Sequence, residues 1–207
     1  MSFAIFSDPS CNLPRAQLEE FQVQIIPASY EREGKLIPCP RYPEEFDGRE
    51  YYNYLRNKGV VKTSLIPAGQ MEDAFRPVLA GGKDVLYITL SSGISGTVAA
   101  GFQAAQALAE EFPERQVRVL DSMGAGFGIG LLLGRASDYQ KAGLSLAETY
   151  TLVERDRDNL CEFFTVDDLM FLRRTGRLSG VTATLGTMLQ LKPLLRGDES
   201  GHITVFN

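Results

Sequence analysis

The sequence predicts an α/β fold built on a parallel sheet with helices on both faces, and three observations carry that reading. From residue 84 to residue 143 the chain alternates in a fixed order: apolar strand 84–90, helix 96–112, strand 116–120, then a helix ending near 143. Strand–helix alternation of this kind is the signature of βαβ units. An apolar strand also opens the chain, FAIFS at 3–7, and stops at the turn-forming DPSCNLP. Finally, SLAE at 145–148 is a capping box that starts a further helix running to about residue 160.

The elements follow in order. Pro14 suits the first turn of a short helix reaching Phe21. VQIIPASY (23–30) reads as a second strand. EREGKLIPCPRYP carries Gly34 and three prolines, so a hairpin or an irregular loop is expected there. A polar, aromatic helix is predicted over 44–57 and another over 70–79. CEFFTV (161–166) is an apolar strand candidate, after which the pattern changes to short helices and two short strands, LKPLL and HITVF. The last of these reads as a strand interior lacking a neighbour.

Composition removes several functions. The 207 residues suffice for one large domain or two small ones, and 44% hydrophobic with 23% charged residues is ordinary for a globular chain. A net charge of −5 argues against nonspecific nucleic-acid binding, which depends on Lys and Arg at phosphates. Three scattered cysteines without C-x-x-C, and a single histidine, make neither a disulfide framework nor a zinc site, and interior free thiols are expected. The N-terminus has no basic stretch leading an apolar one, and GFGIGLLLG (126–134) is too short to span a bilayer, so a cytoplasmic protein without stable membrane insertion is expected.

In an open α/β sheet ligands sit beyond the carboxyl ends of the strands. SSGISGT (91–97) falls there, leading into a helix N-terminus whose free N–H groups favour an anion or a polarised oxygen. One serine would suffice to cap the helix; three Ser, two Gly and one Thr exceed that need. KTSLIP (62–67) taken alone reads as a turn and an N-cap. LDSMGAGFGIG (120–130) has no dinucleotide register, since Leu131 stands where the third glycine would be; close helix–sheet packing and ligand approach both remain open for it. No serine lies in a G-x-S-x-G frame, and Gly34-Lys35 is followed by leucine, so neither a serine hydrolase nor a P-loop fits. In VDDLMFLRRTGRLSG (166–180), Arg173 and Arg174 suit a helix C-terminus, while Arg177 follows a tight Thr-Gly turn from which it can reach a site. One guanidinium among neutral hydroxyls suits a single carboxylate better than a phosphate.

FSDPSCNL, VKTSLIPAGQMEDAF, DVLYITLSSGISGTVAAG, VLDSMGAGFGIG and VDDLMFLRRTGRLSGVTATLGTMLQLKPLL, in this order, resemble the DegV family of bacterial fatty-acid-binding proteins, some of which are carrier subunits of fatty acid kinase. The resemblance covers essentially the whole chain. It implies an α/β domain over 1–160 and, over 161–207, the start of an α+β lipid-binding domain, DegV-like and incomplete. A long-chain fatty acid such as palmitate would lie in a tunnel between them, its carboxylate at Thr63 and Ser95, with Ser64, Ser92, Gly96 and Arg177 close by. The family then implies no catalytic residue, no metal and no cofactor besides the acid, and a kinase catalytic subunit as partner. Gly124 and Gly126 stand where family members often carry serines. Family chains continue past a strand like that at 201–203, so a shortened second domain is expected, with either self-association through an uncovered C-terminal edge or fraying of that segment. Two other readings stand beside the carrier: a shortened, non-binding structural or regulatory protein, and an enzyme acting on a small phosphorylated or carbonyl substrate.

Overall fold

The computed structural model describes residues 2–178 and 192–206. Its centre is a four-stranded parallel sheet of β1 (Phe3–Ser7), β2 (Val23–Ile25), β6 (Asp84–Thr89) and β7 (Val117–Asp121), in the order β2-β1-β6-β7. Ile5 pairs with Leu86 and Tyr87 with Val119. Every residue of β6 is buried, as befits a central parallel strand covered on both faces.

The period-2 alternation of side chains divides the core in two. Ile5, Leu86, Ile88 and Leu120 face Leu18 of α1 (Arg15–Glu20), Leu132 and Leu133 of α5 (Phe127–Lys141), and Val153 of α6 (Leu146–Arg157). Phe6, Val85, Tyr87 and Val119 face Met71, Phe75 and Leu79 of α3 (Ala68–Ala80), and Ala100, Ala104 and Leu108 of α4 (Thr97–Glu111). Alanines along α4 let that helix lie close to the sheet. The expected capping box forms in full, Ser145 and Glu148 satisfying each other's backbone N–H at the start of α6.

Four expectations about helices and strands need correction. The strand read over 23–30 is two elements, because Pro27 offers no N–H to continue a ladder. β2 stays in the parallel sheet, whereas β3 (Ser29–Arg32) turns into an antiparallel hairpin with β4 (Lys35–Pro38) through Glu33 and Gly34, both at positive φ. A third strand, β5 (Val61–Thr63), completes that sheet in the order β4-β3-β5. The helix expected over 44–57 begins later: α2 is Gly48–Arg56, with Asp47 accepting from the Glu50 N–H, and a 3-10 turn occupies Pro43–Glu45. The apolar segment 161–166 is no strand, for only Phe164 makes a bridge, to Leu195.

The last correction concerns the C-terminus. LKPLL lies partly outside the described residues, and the strand observed there is β8 (Leu195–Gly197). It follows α7 (Leu169–Arg174) and pairs antiparallel with β9 (Ile203–Val205), whose Ile203 also bridges Leu178. The terminal strand therefore has a neighbour within this chain, which removes the premise of an unpaired edge. Leu194 (45%) and Phe206 (42%) remain exposed beside it.

The cysteines divide by exposure: Cys11 is buried, Cys39 half-buried, and Cys161 lies on the surface, contrary to the interior position expected for all three. Burial, with the charge of Asp8 adding to it, pushes the Cys11 thiol up to about 11. Since the thiolate is the reactive form, a maleimide at pH 8 is expected to modify Cys161 first, Cys39 more slowly, and Cys11 only in denaturant. Equal labelling of all three in the folded protein, read by peptide mass spectrometry, would contradict this packing.

Candidate functional site

Because β1, β6 and β7 run parallel, their carboxyl ends deliver three loops to one edge of the sheet, and the β5–α3 connection joins them. Thr63 ends β5 with an exposed side chain, and the Ser64 N–H donates to the Ser29 carbonyl at 3.4 Å. The expectation that this stretch caps the next helix fails: the N-cap of α3 is Pro67, with no side-chain cap. Ser64 is exposed.

One residue stitches this connection to the loop after β6. Thr97, 5% exposed, accepts the Ile66 N–H on its Oγ1 at 3.4 Å and shares a 2.9 Å hydroxyl contact with Ser95. Leu65 packs against Gly96, where a Cβ would lie 3.1 Å from the Leu65 Cδ2. Ser95 Oγ also accepts the Thr97 N–H at 3.2 Å. The hydroxyl pair can run in either direction, and when Thr97 donates, the half-buried Ser95 hydroxyl keeps its own hydrogen for a ligand. The N-cap position of that helix is Gly96, with no side-chain bond of its own, and Ser95 meets the first helical N–H from one residue earlier.

The serines divide their work. Ser91 is buried and structural: its Oγ donates to the Gly201 carbonyl at 2.9 Å in the β8–β9 turn and accepts the Gly93 N–H at 3.1 Å. Ser92 is tied instead to β7, its N–H donating to Asp121 Oδ1 at 3.2 Å, while its side chain is exposed. Arg177 reaches the same loop: Nε donates to the Ile94 carbonyl at 3.4 Å and Nη1 to the Thr175 carbonyl at 2.6 Å. The structure thus sets Arg177 on the Ser95–Gly96 loop, brings the connection that follows Thr63 and Ser64 to it through Leu65 and Ile66, and places Ser92 on the side bound to β7.

Three carboxylates that hold these loops were missed by sequence reasoning. Asp8, 5% exposed at the end of β1, accepts from the Ser10 N–H at 2.9 Å, from the Ser10 hydroxyl, and from Thr89 Oγ1 at 2.5 Å. Asp121, ending β7, accepts from the N–H groups of Ser92 and Met123. Glu162 accepts from the N–H groups of Ala125 and Gly128 at 3.0 and 2.9 Å. The available signal for the two aspartates was their place at strand carboxyl ends; Glu162 had none. Beside Asp8 the buried Tyr87 hydroxyl is held well above its ordinary range, by burial first and the Asp8 charge second.

This arrangement presents neutral hydroxyls and the Arg177 guanidinium, with the nearby carboxylates already bonded to backbone. It suits recognition of a small anion more than chemistry on it. Among the described residues no group of His, Cys, Asp or Glu could hold a metal ion, and no helix is long and apolar enough to cross a membrane.

Comparison with known proteins agrees with the resemblance read from the sequence. The sequence model of the family described as "Uncharacterised protein, DegV family" matches residues 2–207. A DegV domain-containing protein of Clostridium perfringens is 30% identical over 210 residues, covering 99% of this chain and 70% of that protein. One from Streptococcus pyogenes serotype M3 is 31% identical over 203 residues, covering 98% and 71%. Among solved structures, a fatty-acid-binding DegV family protein from Thermus thermophilus superposes with a TM-score of 0.85 at 29% identity, covering 100% of this chain and 71% of that one. DegV of Bacillus subtilis, described as a fatty acid binding protein, gives 0.83 at 27% identity with the same coverage. A stearic acid-binding protein from Eubacterium ventriosum gives 0.85 at 25%, covering 99% and 70%.

Proposed function

The chain belongs to the DegV family, and on that premise we propose that it is a cytoplasmic carrier, without catalysis of its own, that binds one long-chain fatty acid such as palmitate. In this reading residues 1–160 form the α/β unit and 161–207 begin the α+β unit. The acid lies in a tunnel between them and offers its carboxylate to the catalytic subunit of a fatty acid kinase. The observation that carries the reading is the seam at Thr97, which ties Ile66, three residues beyond Thr63, to Ser95 and holds the Ser95 hydroxyl beside that connection. The fatty acids described for the Thermus and Eubacterium structures support the same class of ligand. Ser64, Gly96 and Ser92 line the head-group loop, and Arg177 supplies a cation beside it. A second copy meeting this one at exposed Leu194 and Phe206 belongs to the same proposal.

The division of labour follows from magnitudes. Burying about fifteen methylenes at about 0.8 kcal/mol each gives roughly 12 kcal/mol before ordering and association costs. The tail therefore supplies affinity. The hydroxyls keep the buried carboxylate from being unpaired, which would be costly. A solvent extract of the purified protein, read by denaturing mass spectrometry, is expected to contain a C14–C18 acid at up to one per chain, a range taken from the family resemblance. Delipidated protein is expected to take one up saturably. No saturable binding of any acid in that range would overturn the carrier reading and favour a non-binding structural role. Turnover of a small phosphorylated or carbonyl substrate by the chain alone would favour the enzyme.

A further inference from the structure

The N-terminal turn of α5 is already filled by the chain's own carboxylate. Glu162 receives two N–H donors on its two oxygens, Ala125 on Oε2 and Gly128 on Oε1. That is the geometry in which a helix N-terminus takes an anion. α5 has no acidic residue in its own first turn, so this charge comes from a segment 34 residues further along the chain. The sequence around it is cut to fit. A Cβ at Gly124 would overlap Glu162 Oε2, with Ser122 O the next heavy atom beyond Glu162 at 3.6 Å, and a Cβ at Gly128 would overlap the Glu162 carboxyl carbon.

The position has consequences for the neighbouring loop. The Gly124 carbonyl accepts the Ser91 N–H at 3.1 Å, and Ser91 in turn holds the β8–β9 turn through Gly201. A second anion brought to Ala125 and Gly128 would meet a carboxylate there, and like charges at hydrogen-bond range exclude each other. We propose that Glu162 is a positioning residue: a built-in carboxylate that closes the loop after β7 to the ligand's acid, leaves the Ser95 loop to receive it, and fixes the glycine loop beneath Ser91. The direction given to the ligand rests on the fatty-acid reading; the closure of the α5 turn does not.

The test is therefore made first without lipid. Glu162→Ala is expected to lower the melting temperature by about 5 °C, the loss for a charge-accepting bond pair in a chain of this size. Gly124→Ala, which evicts the carboxylate, is expected to cost a similar amount in the wild type and almost nothing in the Glu162→Ala background. Additive losses would overturn the proposal. A groove of about 510 Å³ lined by Gly124, Glu162, Arg157 and Arg196 gives a small acid access to the vacated position. Sodium acetate is accordingly expected to move the Ala125 and Gly128 amide resonances saturably in Glu162→Ala and not in the wild type, whereas acetamide moves neither. Acetate shifts in the wild type, or none in the variant, would also overturn it. Should Glu162→Ala not fold, Glu162→Ser keeps a polar side chain too short to meet a Cβ at Gly124, and is expected to show the same loss of coupling to Gly124→Ala. Failure of this cycle would leave the fatty-acid reading standing, and a wild type that binds no lipid would leave the cycle intact.

Discussion

Replacing Gly93 by alanine is expected to destabilise the protein by about 3 kcal/mol, the largest loss for any single methyl group added to the loops of the site. The reason is a backbone-to-backbone contact. A Cβ at Gly93 would overlap the Gly201 carbonyl carbon and lie 2.6 Å from the His202 nitrogen, atoms that cannot swing aside as the end of a side chain can. Either the loop after β6 or the β8–β9 turn must move. Overpacking costs about 1–3 kcal/mol, and displacing the turn also breaks the bond from Ser91 Oγ to the Gly201 carbonyl, worth about 1 kcal/mol. Gly69, inside α3 with no heavy atom within 4 Å of a built Cβ, is the control, and alanine there is expected to be neutral or stabilising by up to about 1 kcal/mol. Urea unfolding separates the two. A Gly93→Ala loss no greater than the Gly69→Ala change would mean that the C-terminal hairpin is not seated on the serine loop.

That contact also shows where sequence reading stops. β1, β6, α4, α5 and α6 were legible because apolar runs, alanine spacing and the Ser145–Glu148 box are local signals. The antiparallel sheet was half legible. Gly34 announces the hairpin, but β5 is three residues with Lys62 and Thr63 exposed, and no periodicity can mark it. Segment 161–166 misled because its phenylalanines read as a strand, while the residue that fixes it is Glu162, bonded to a helix whose sequence lies far away. At the site the hydroxyls stood out because the loop carries no charge. The carboxylates that organise it did not, since Asp8 and Asp121 look like ordinary turn residues until parallel pairing brings the ends of β1, β6 and β7 to one edge. Three serines in a row of seven residues were likewise indistinguishable in sequence; only packing shows that Ser91 is buried scaffold while Ser95 is half-buried and paired with Thr97.

The head-group assignment leads to the second large effect. Thr63→Val and Ser95→Ala are each expected to weaken binding of a long-chain acid by about 1–3 kcal/mol, roughly 5- to 150-fold in Kd, because each leaves a carboxylate short of a donor. The two variants are unequal as instruments. Thr63 is exposed, so valine keeps the shape and disturbs little in the free protein. Ser95→Ala also removes the acceptor for the Thr97 N–H and the partner of the Thr97 hydroxyl, which loosens the seam to Ile66 and lowers stability in its own right. Raw affinity for the acid therefore mixes head-group recognition with loop order in that variant. The ratio of acid to alcohol binding does not, since a fatty alcohol of the same length buries the same tail and meets the same loosened loop. We expect that ratio to fall by at least tenfold in each variant, measured by competition against one fluorescent fatty acid. The double variant should lose most of its preference for the acid, with Arg177 still beside the loop. Equal losses for acid and alcohol would mean that Thr63 and Ser95 shape the pocket, and that the carboxylate is held elsewhere.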